Sequence, residues 1–133
     1  MLSKQEVAAM IQQKFRLMVE PLPNTDCEYK VDLLTLLPLC QELKAAGYGF
    51  LADITAVDYL NEGYFRLLYQ VCNYQNGDII VLKVDVSRDE PLVESVCPVW
   101  AAANWLEREV YDMFGIVFKN HPRLERILLW EGF

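Results

Sequence analysis

Apolar side chains recur along the chain at two spacings, and the switches between them mark out the elements. Val7, Met10, Ile11 and Phe15 fall every three or four residues, the period of a helix that buries one face. Ser3 followed by Glu6 fits a capping box, in which each side chain satisfies the other residue's backbone N–H. A first helix from Lys4 to Phe15 is therefore predicted. Pro21 and Pro23 bar its continuation and lead into a loop at Asn24-Thr25. A short strand follows, from about Glu28 to Leu34. Thr35 is read as the N-cap of a second helix, with Pro38 in the first turn where its missing N–H costs nothing and Gly47 closing the C-terminus. That helix is expected to bury Leu36, Leu39, Cys40 and Leu43.

The period then changes to two. Phe50 to Tyr59, Tyr64 to Tyr74 and Asp78 to Val86 are rich in β-branched and aromatic residues and read as strands. Asn61-Glu62-Gly63 and Gln75-Asn76-Gly77 supply the positive-φ residues of tight hairpins, so the three strands should form an antiparallel meander. Ile80, Leu82, Val84 and Val86 alternate with Val81, Lys83 and Asp85, which gives one apolar face for a helix layer to cover. Ser87 to Val96 reads as an irregular acidic connection. Pro98 suits the start of a last helix that runs to about Phe114 and is stopped by Gly115. The order α-β-α-β-β-β-α predicts a two-layer α+β domain with a mixed, mainly antiparallel sheet and helices packed on one face. No linker or internal repeat divides residues 1–133, so a single domain is expected.

Composition narrows the function more than the fold. Although 53% of residues are hydrophobic, they lie in short runs and nowhere reach the ~20 apolar residues of a membrane-spanning helix. A soluble chain is expected, with membrane association only through a partner. Twelve Lys and Arg against nineteen Asp and Glu give a net charge of -7, the wrong sign for phosphate backbones or anionic lipid, which argues against nucleic acid as a partner. The N-terminus Met1-Leu2-Ser3-Lys4-Gln5 lacks a signal-like apolar run, so a cytoplasmic location with reduced cysteines is expected. Cys27, Cys40, Cys72 and Cys97 are widely spaced, with no C-x-x-C pair to grip zinc or an iron-sulfur cluster. They read as isolated buried thiols.

The densest chemistry lies in Ala103-Asn104-Trp105-Leu106-Glu107-Arg108-Glu109-Val110-Tyr111-Asp112-Met113-Phe114-Gly115-Ile116. On a helix, Ala102, Leu106, Val110, Met113 and Phe114 share one stripe bordered by Trp105 and Glu109. Arg108 and Asp112 are four apart and can pair. Taken by periodicity alone this is an ordinary surface ion pair beside a packed face. Three carboxylates and an arginine among aromatic residues also suit a protein interface. Catalysis is weakly signalled. Glu107 and Glu109 diverge on a helix, Glu109 and Asp112 converge, and His121, the sole histidine, is read as hydrogen-bonding its turn rather than completing a triad or metal site. No G-x-G-x-x-G or G-x-x-x-x-G-K-[ST] cradle for a dinucleotide or ATP occurs.

The run from Ala103 to Ile116, followed by Phe118, His121-Pro122, Leu124 and Arg126-Ile127-Leu128-Leu129, closely resembles the signature of the thirty-kilodalton subunit family of NADH:quinone oxidoreductase (respiratory complex I). That family also includes subunits of membrane-bound nickel-iron hydrogenases. Asp53-Ile54-Thr55-Ala56-Val57-Asp58-Tyr59, Phe65-Arg66-Leu67-Leu68-Tyr69, Pro91 and Ser95-Val96 extend the likeness upstream. It departs at Leu106, where an aromatic residue is common, and after Leu129, where relatives carry a basic tail. The resemblance implies a peripheral-arm subunit on the cytoplasmic side of the membrane, without a cofactor of its own. It implies docking on the large hydrogenase-like subunit, close to subunits that carry iron-sulfur clusters. Trp105, Glu107, Arg108, Glu109, Asp112, Phe114, Gly115, His121, Pro122 and Arg126 are then the signature positions expected at that interface. A hydrogenase-linked parent complex and, from a different class, a stand-alone acid/base enzyme are the alternatives.

Overall fold

The computed structural model describes residues 3–23, 25 and 27–124, with the Leu17 side chain left aside. Helix α1 spans Lys4–Phe15, and Ser3 and Glu6 form the reciprocal capping box. Helix α2 spans Leu36–Ala45 and buries Leu36, Leu39, Cys40 and Leu43. Thr35 does not cap it: its hydroxyl donates to Met18 Sδ, and Asp32 instead caps a preceding 3-10 turn at Leu33–Thr35. The strand predicted to reach Leu34 therefore ends early, as β2 at Glu28–Val31. A further strand, β1 at Val19–Pro21, pairs antiparallel with it.

The meander is present as β3 (Phe50–Tyr59), β4 (Tyr64–Cys72) and β5 (Ile79–Ser87). Gly63 and Gly77 take φ of 82° and 75° in the connecting turns, a conformation in which other residues are strained. β2 joins β5 in parallel, so the five-stranded sheet has the order β1-β2-β5-β4-β3. One face carries the core: Tyr29, Val31, Leu67, Tyr69, Val71, Leu82 and Val84 lie under Val7 and Ile11 of α1 and the apolar face of α2. The other face holds cross-strand ion pairs, Arg66 with Asp85 at 2.7 Å and Lys83 with Glu28 at 2.8 Å.

The connection after β5 is not wholly irregular. Leu92–Glu94 (β6) pairs in parallel with Val117–Lys119 (β7), and the helix between them is α3, Ala103–Phe114. Pro98 does not begin that helix; residues from Val96 to Ala102 form turns first. The Trp100 indole in these turns donates to the buried Tyr48 carbonyl at 3.0 Å. Trp100→Phe should cost about 1–2 kcal/mol in urea unfolding, because it leaves that carbonyl unsatisfied. An unchanged midpoint would show that water replaces the indole.

Candidate functional site

Helix α3 is placed by bonds at its start, middle and end. Gly115 adopts φ 74° and its N–H donates to the Tyr111 carbonyl at 2.8 Å, the left-handed cap that ends the helix. On either side of the helix, the Ser95 N–H donates to the Lys119 carbonyl and the Val117 N–H to the Pro91 carbonyl. The β6–α3–β7 crossover is thereby closed on itself.

The buried stripe of α3 is Ala103, Glu107 and Val110, with Leu106 and Phe114 beside it. This corrects the prediction in three places. Ala102, expected on the stripe, is exposed, and its neighbour Ala103 is buried instead. Met113, expected in the core, is 68% exposed. Glu107, expected among the partner-facing charges, has 0% exposure and lies inside this chain. Its Oε1 accepts from the Ser95 hydroxyl at 2.6 Å and its Oε2 from the Val96 N–H at 2.8 Å. The Cys97 thiol approaches Oε1 at 3.5 Å, and Cys97 N–H donates to Ser95 Oγ. A carboxylate here satisfies the turn that a helix-facing apolar residue would leave with bare donors.

Burial pushes the Glu107 carboxyl up to about 7, against the opposing pull of the Ser95 and Val96 hydrogen bonds. Cys97 is pushed up to about 11, mainly by burial. Burial raises the Cys40 thiol and the Tyr69 phenol as well, and the nearby Glu107 charge raises both further. The core behind Glu107 is thus set to keep its titratable groups protonated.

His121 closes the other side. Its Nδ1 accepts from the Arg123 N–H at 2.8 Å, so the ring proton sits on Nε2 and points to the Asn104 carbonyl at 2.9 Å. The expectation that His121 bonds its own turn is met, and the same ring also ties that turn to the first turn of α3. Nε2 stands 3.9 Å from Glu107 Oε1. Cys97 Sγ, Glu107 oxygen and His121 Nε2 lie within 4.8 Å of one another, a set of atoms able in principle to hold a metal ion. A metal at Nε2 would need the other ring tautomer and would break both histidine bonds, while Ser95 and Val96 already occupy the carboxylate. The cluster fits a hydrogen-bonded clamp better than a ligand set. Sequence spacing did not reveal it, because Ser95 and Cys97 are separated from Glu107 by more than two helical turns.

The outward face of α3 carries the remaining predicted residues. Trp105 is 53% exposed, with the Arg108 guanidinium 5.9 Å from its ring centroid. Arg108, Glu109 and Asp112 are half-buried around it. Phe114 turns inward, edge-on to Phe65 at 5.9 Å. Pro122 is exposed in the following turn. Arg126 and the rest of the predicted signature after Leu124 lie outside the described residues. Among the described residues, no helix is long and apolar enough to cross a membrane.

The sequence and the fold are similar to those of known proteins. Residues 29–133 match the family model described as respiratory-chain NADH dehydrogenase, 30 Kd subunit. The C subunit of NADH-quinone oxidoreductase from Geotalea uraniireducens is 44% identical over 102 residues, 73% of this chain and 62% of the relative. The chain thus spans about three fifths of the length of that curated relative. The C subunit of F(420)H(2) dehydrogenase from Methanosarcina mazei is 37% identical over 68% of this chain and 58% of its own. Among solved structures, the trypsin-resistant fragment (1-134) of Nqo5 matches with a TM-score of 0.74 and 30% identity, over 92% of this chain and all of the fragment. A chain of an archaeal membrane-bound sulfane sulfur reductase shares the fold, with a TM-score of 0.83 and 23% identity over 96% of this chain and 77% of that one. With the family model covering the chain from Tyr29 in β2 onward, helix α3 included, this chain belongs to the 30 kDa subunit family of respiratory-chain NADH dehydrogenase.

Proposed function

We propose that this chain is a non-redox, peripheral-arm subunit of an NADH:quinone oxidoreductase that docks on the large hydrogenase-like subunit through the outward face of α3. Electrons pass through neighbouring subunits that carry iron-sulfur clusters, and this chain contributes to assembly and so to electron transfer to quinone coupled to ion translocation. Its association with the membrane is indirect, on the cytoplasmic face.

The observation that carries the reading is the exposed Trp105 and Met113 set among Arg108, Glu109 and Asp112. Large apolar side chains left in water beside an arginine are the composition of an interface core. The clamp behind them, Glu107 on the 95–97 turn and His121 on Asn104, fixes the helix from within, so docking meets a preorganised surface. Charge-assisted bonds from Arg108 and the acidic residues would orient the contact. The similarity to the F(420)H(2) dehydrogenase relative favours a second reading of the parent complex, with a donor other than NADH and the same docking. An energy-converting hydrogenase belongs to that second class, and neighbouring genes for NADH-binding or nickel-ligating subunits decide between them.

A tagged full-length chain should co-purify with the large subunit from detergent-treated membranes. Prepared alone, it should be colourless and lose all iron to a chelator. Iron retained stoichiometrically through chelation, or absence of the large subunit from the eluate, would overturn the reading.

A further inference from the structure

The single ring N–H of His121 has two acceptors within reach. From Nε2 it donates to the Asn104 carbonyl at 2.9 Å, in the first turn of α3. Glu107 Oε1 stands 3.9 Å from the same nitrogen, and both side chains are fully shielded from water. Bonding to Oε1 instead needs a movement of about 1 Å, since N–H···O bonds settle near 2.9 Å. The ring can make it by pivoting on Nδ1, which the Arg123 N–H holds at 2.8 Å.

The charge on Glu107 decides between the two acceptors. When the carboxyl holds its proton, Oε2 accepts from the Val96 N–H and Oε1 shares a hydrogen with Ser95 Oγ, a hydroxyl able to donate or accept. The Asn104 carbonyl is then the better acceptor. When the proton leaves, a full negative charge is buried. The other titratable groups that face it among the described residues are Cys97 beside it, Cys40 on α2, Tyr69 on β4 and Glu94 on β6. None of the four can be cationic, and burial keeps the two thiols and the phenol neutral. A hydrogen bond to an ionised acceptor is roughly twice as strong as one between neutral groups. The imidazole N–H is the donor placed to answer the charge.

We propose that His121 and Glu107 form a proton-operated switch: with the carboxyl protonated, the imidazole ties its turn to Asn104 on α3, and with the carboxylate it turns to Glu107 and releases the Asn104 carbonyl. The proton leaves Glu107 for solvent, and the imidazole stays neutral in both states. Trp105 follows Asn104 directly, so the switch sets how firmly the first turn of α3 is held behind its outward face. The inference stands on the interior of this chain and does not depend on the docking role.

Nuclear magnetic resonance of the full-length protein, titrated between about pH 5 and 9, tests it. His121 is the chain's only histidine, so its ring signals are unambiguous. The Nε2–H proton and the Asn104 carbonyl carbon should shift together with the Glu107 carboxyl carbon, at one midpoint near the raised value of about 7, while the Arg123 amide stays protected. In Glu107→Gln the first two signals should keep their low-pH positions throughout. The co-titration in the parent chain decides even where that variant fails to fold. A Glu107 carboxyl that titrates while the Nε2–H and Asn104 signals stay in place, or that does not titrate in this range, would overturn the switch. So would a shift accompanied by protonation of Nδ1 and release of the Arg123 amide, because the histidine would then be titrating by itself.

Discussion

Glu107→Ala should lower stability by about 3 kcal/mol. The change removes the acceptor of two short hydrogen bonds in a fully buried site and strands the Ser95 hydroxyl and Val96 N–H. Each abandoned donor costs about 1–3 kcal/mol, and the side-chain void adds to that. A fall in melting temperature on the order of 10 °C follows for a domain of this size. Glu107→Gln keeps one acceptor and the volume, so about 1 kcal/mol is expected. Similar melting temperatures for the Ala and Gln variants would show that the carboxylate is dispensable to the turn.

The same residue fixes a pH dependence. Its folded value, raised by burial to about 7, exceeds the value of 4.5 for an ordinary glutamate. Between those two values the folded chain holds a proton that the unfolded chain has released. Stability from this group is therefore fully present below about pH 4.5 and declines as pH rises through 7, by roughly 3 kcal/mol in all. Glu6, held down by the Ser3 amide, and Asp58, held down by the Arg88 side chain, act with the opposite sign, losing their contributions as acid protonates them. Subtracting the Glu107→Gln curve from the parent curve between about pH 5 and 8 isolates the buried carboxyl. A flat difference would mean that the hydrogen bonds outweigh burial.

Where local chemistry decides structure, the sequence was readable. The bounds of α1, its capping box, the buried face of α2 and the β3–β4–β5 meander all follow from spacing, caps and turn glycines. Three short strands did not, because β1, β6 and β7 have three residues each and exist through partners distant in the chain. Nor did the parallel pairing of β2 with β5. At the site, Trp105, Arg108, Glu109 and Asp112 were placed on α3 by helical periodicity and surround its outward face in the structure. Glu107 was misplaced because a glutamate between Ala103 and Val110 ordinarily turns to water. Only the fold reveals that Ser95 and Val96 wait for it on the inner side. Met113 was assigned to the core for the converse reason, since an apolar residue left in water signals a partner that one sequence does not display.

Arg108→Ala should weaken binding to the large subunit by about 30-fold, or 2 kcal/mol, while moving the melting temperature by only about 2–3 °C. The guanidinium lies over the half-exposed Trp105 ring on the outward face of α3. A cation–π contact at such a position contributes only about 0.5–1 kcal/mol to the fold. Truncating an interface arginine beside an aromatic anchor commonly costs about 2 kcal/mol or more of binding. Titration of the purified large subunit against each form, with melting curves of the same samples, separates the two effects. Losses of equal size in stability and affinity would place Arg108 in the fold rather than at the contact.

The most direct test places a photo-activated cross-linker at Met113 of the full-length protein within its intact complex, and a control at Leu34, an exposed residue of the 3-10 turn before α2. Docking through α3 predicts an adduct with the large subunit from position 113 and none from position 34. An adduct from position 34 alone would contradict it.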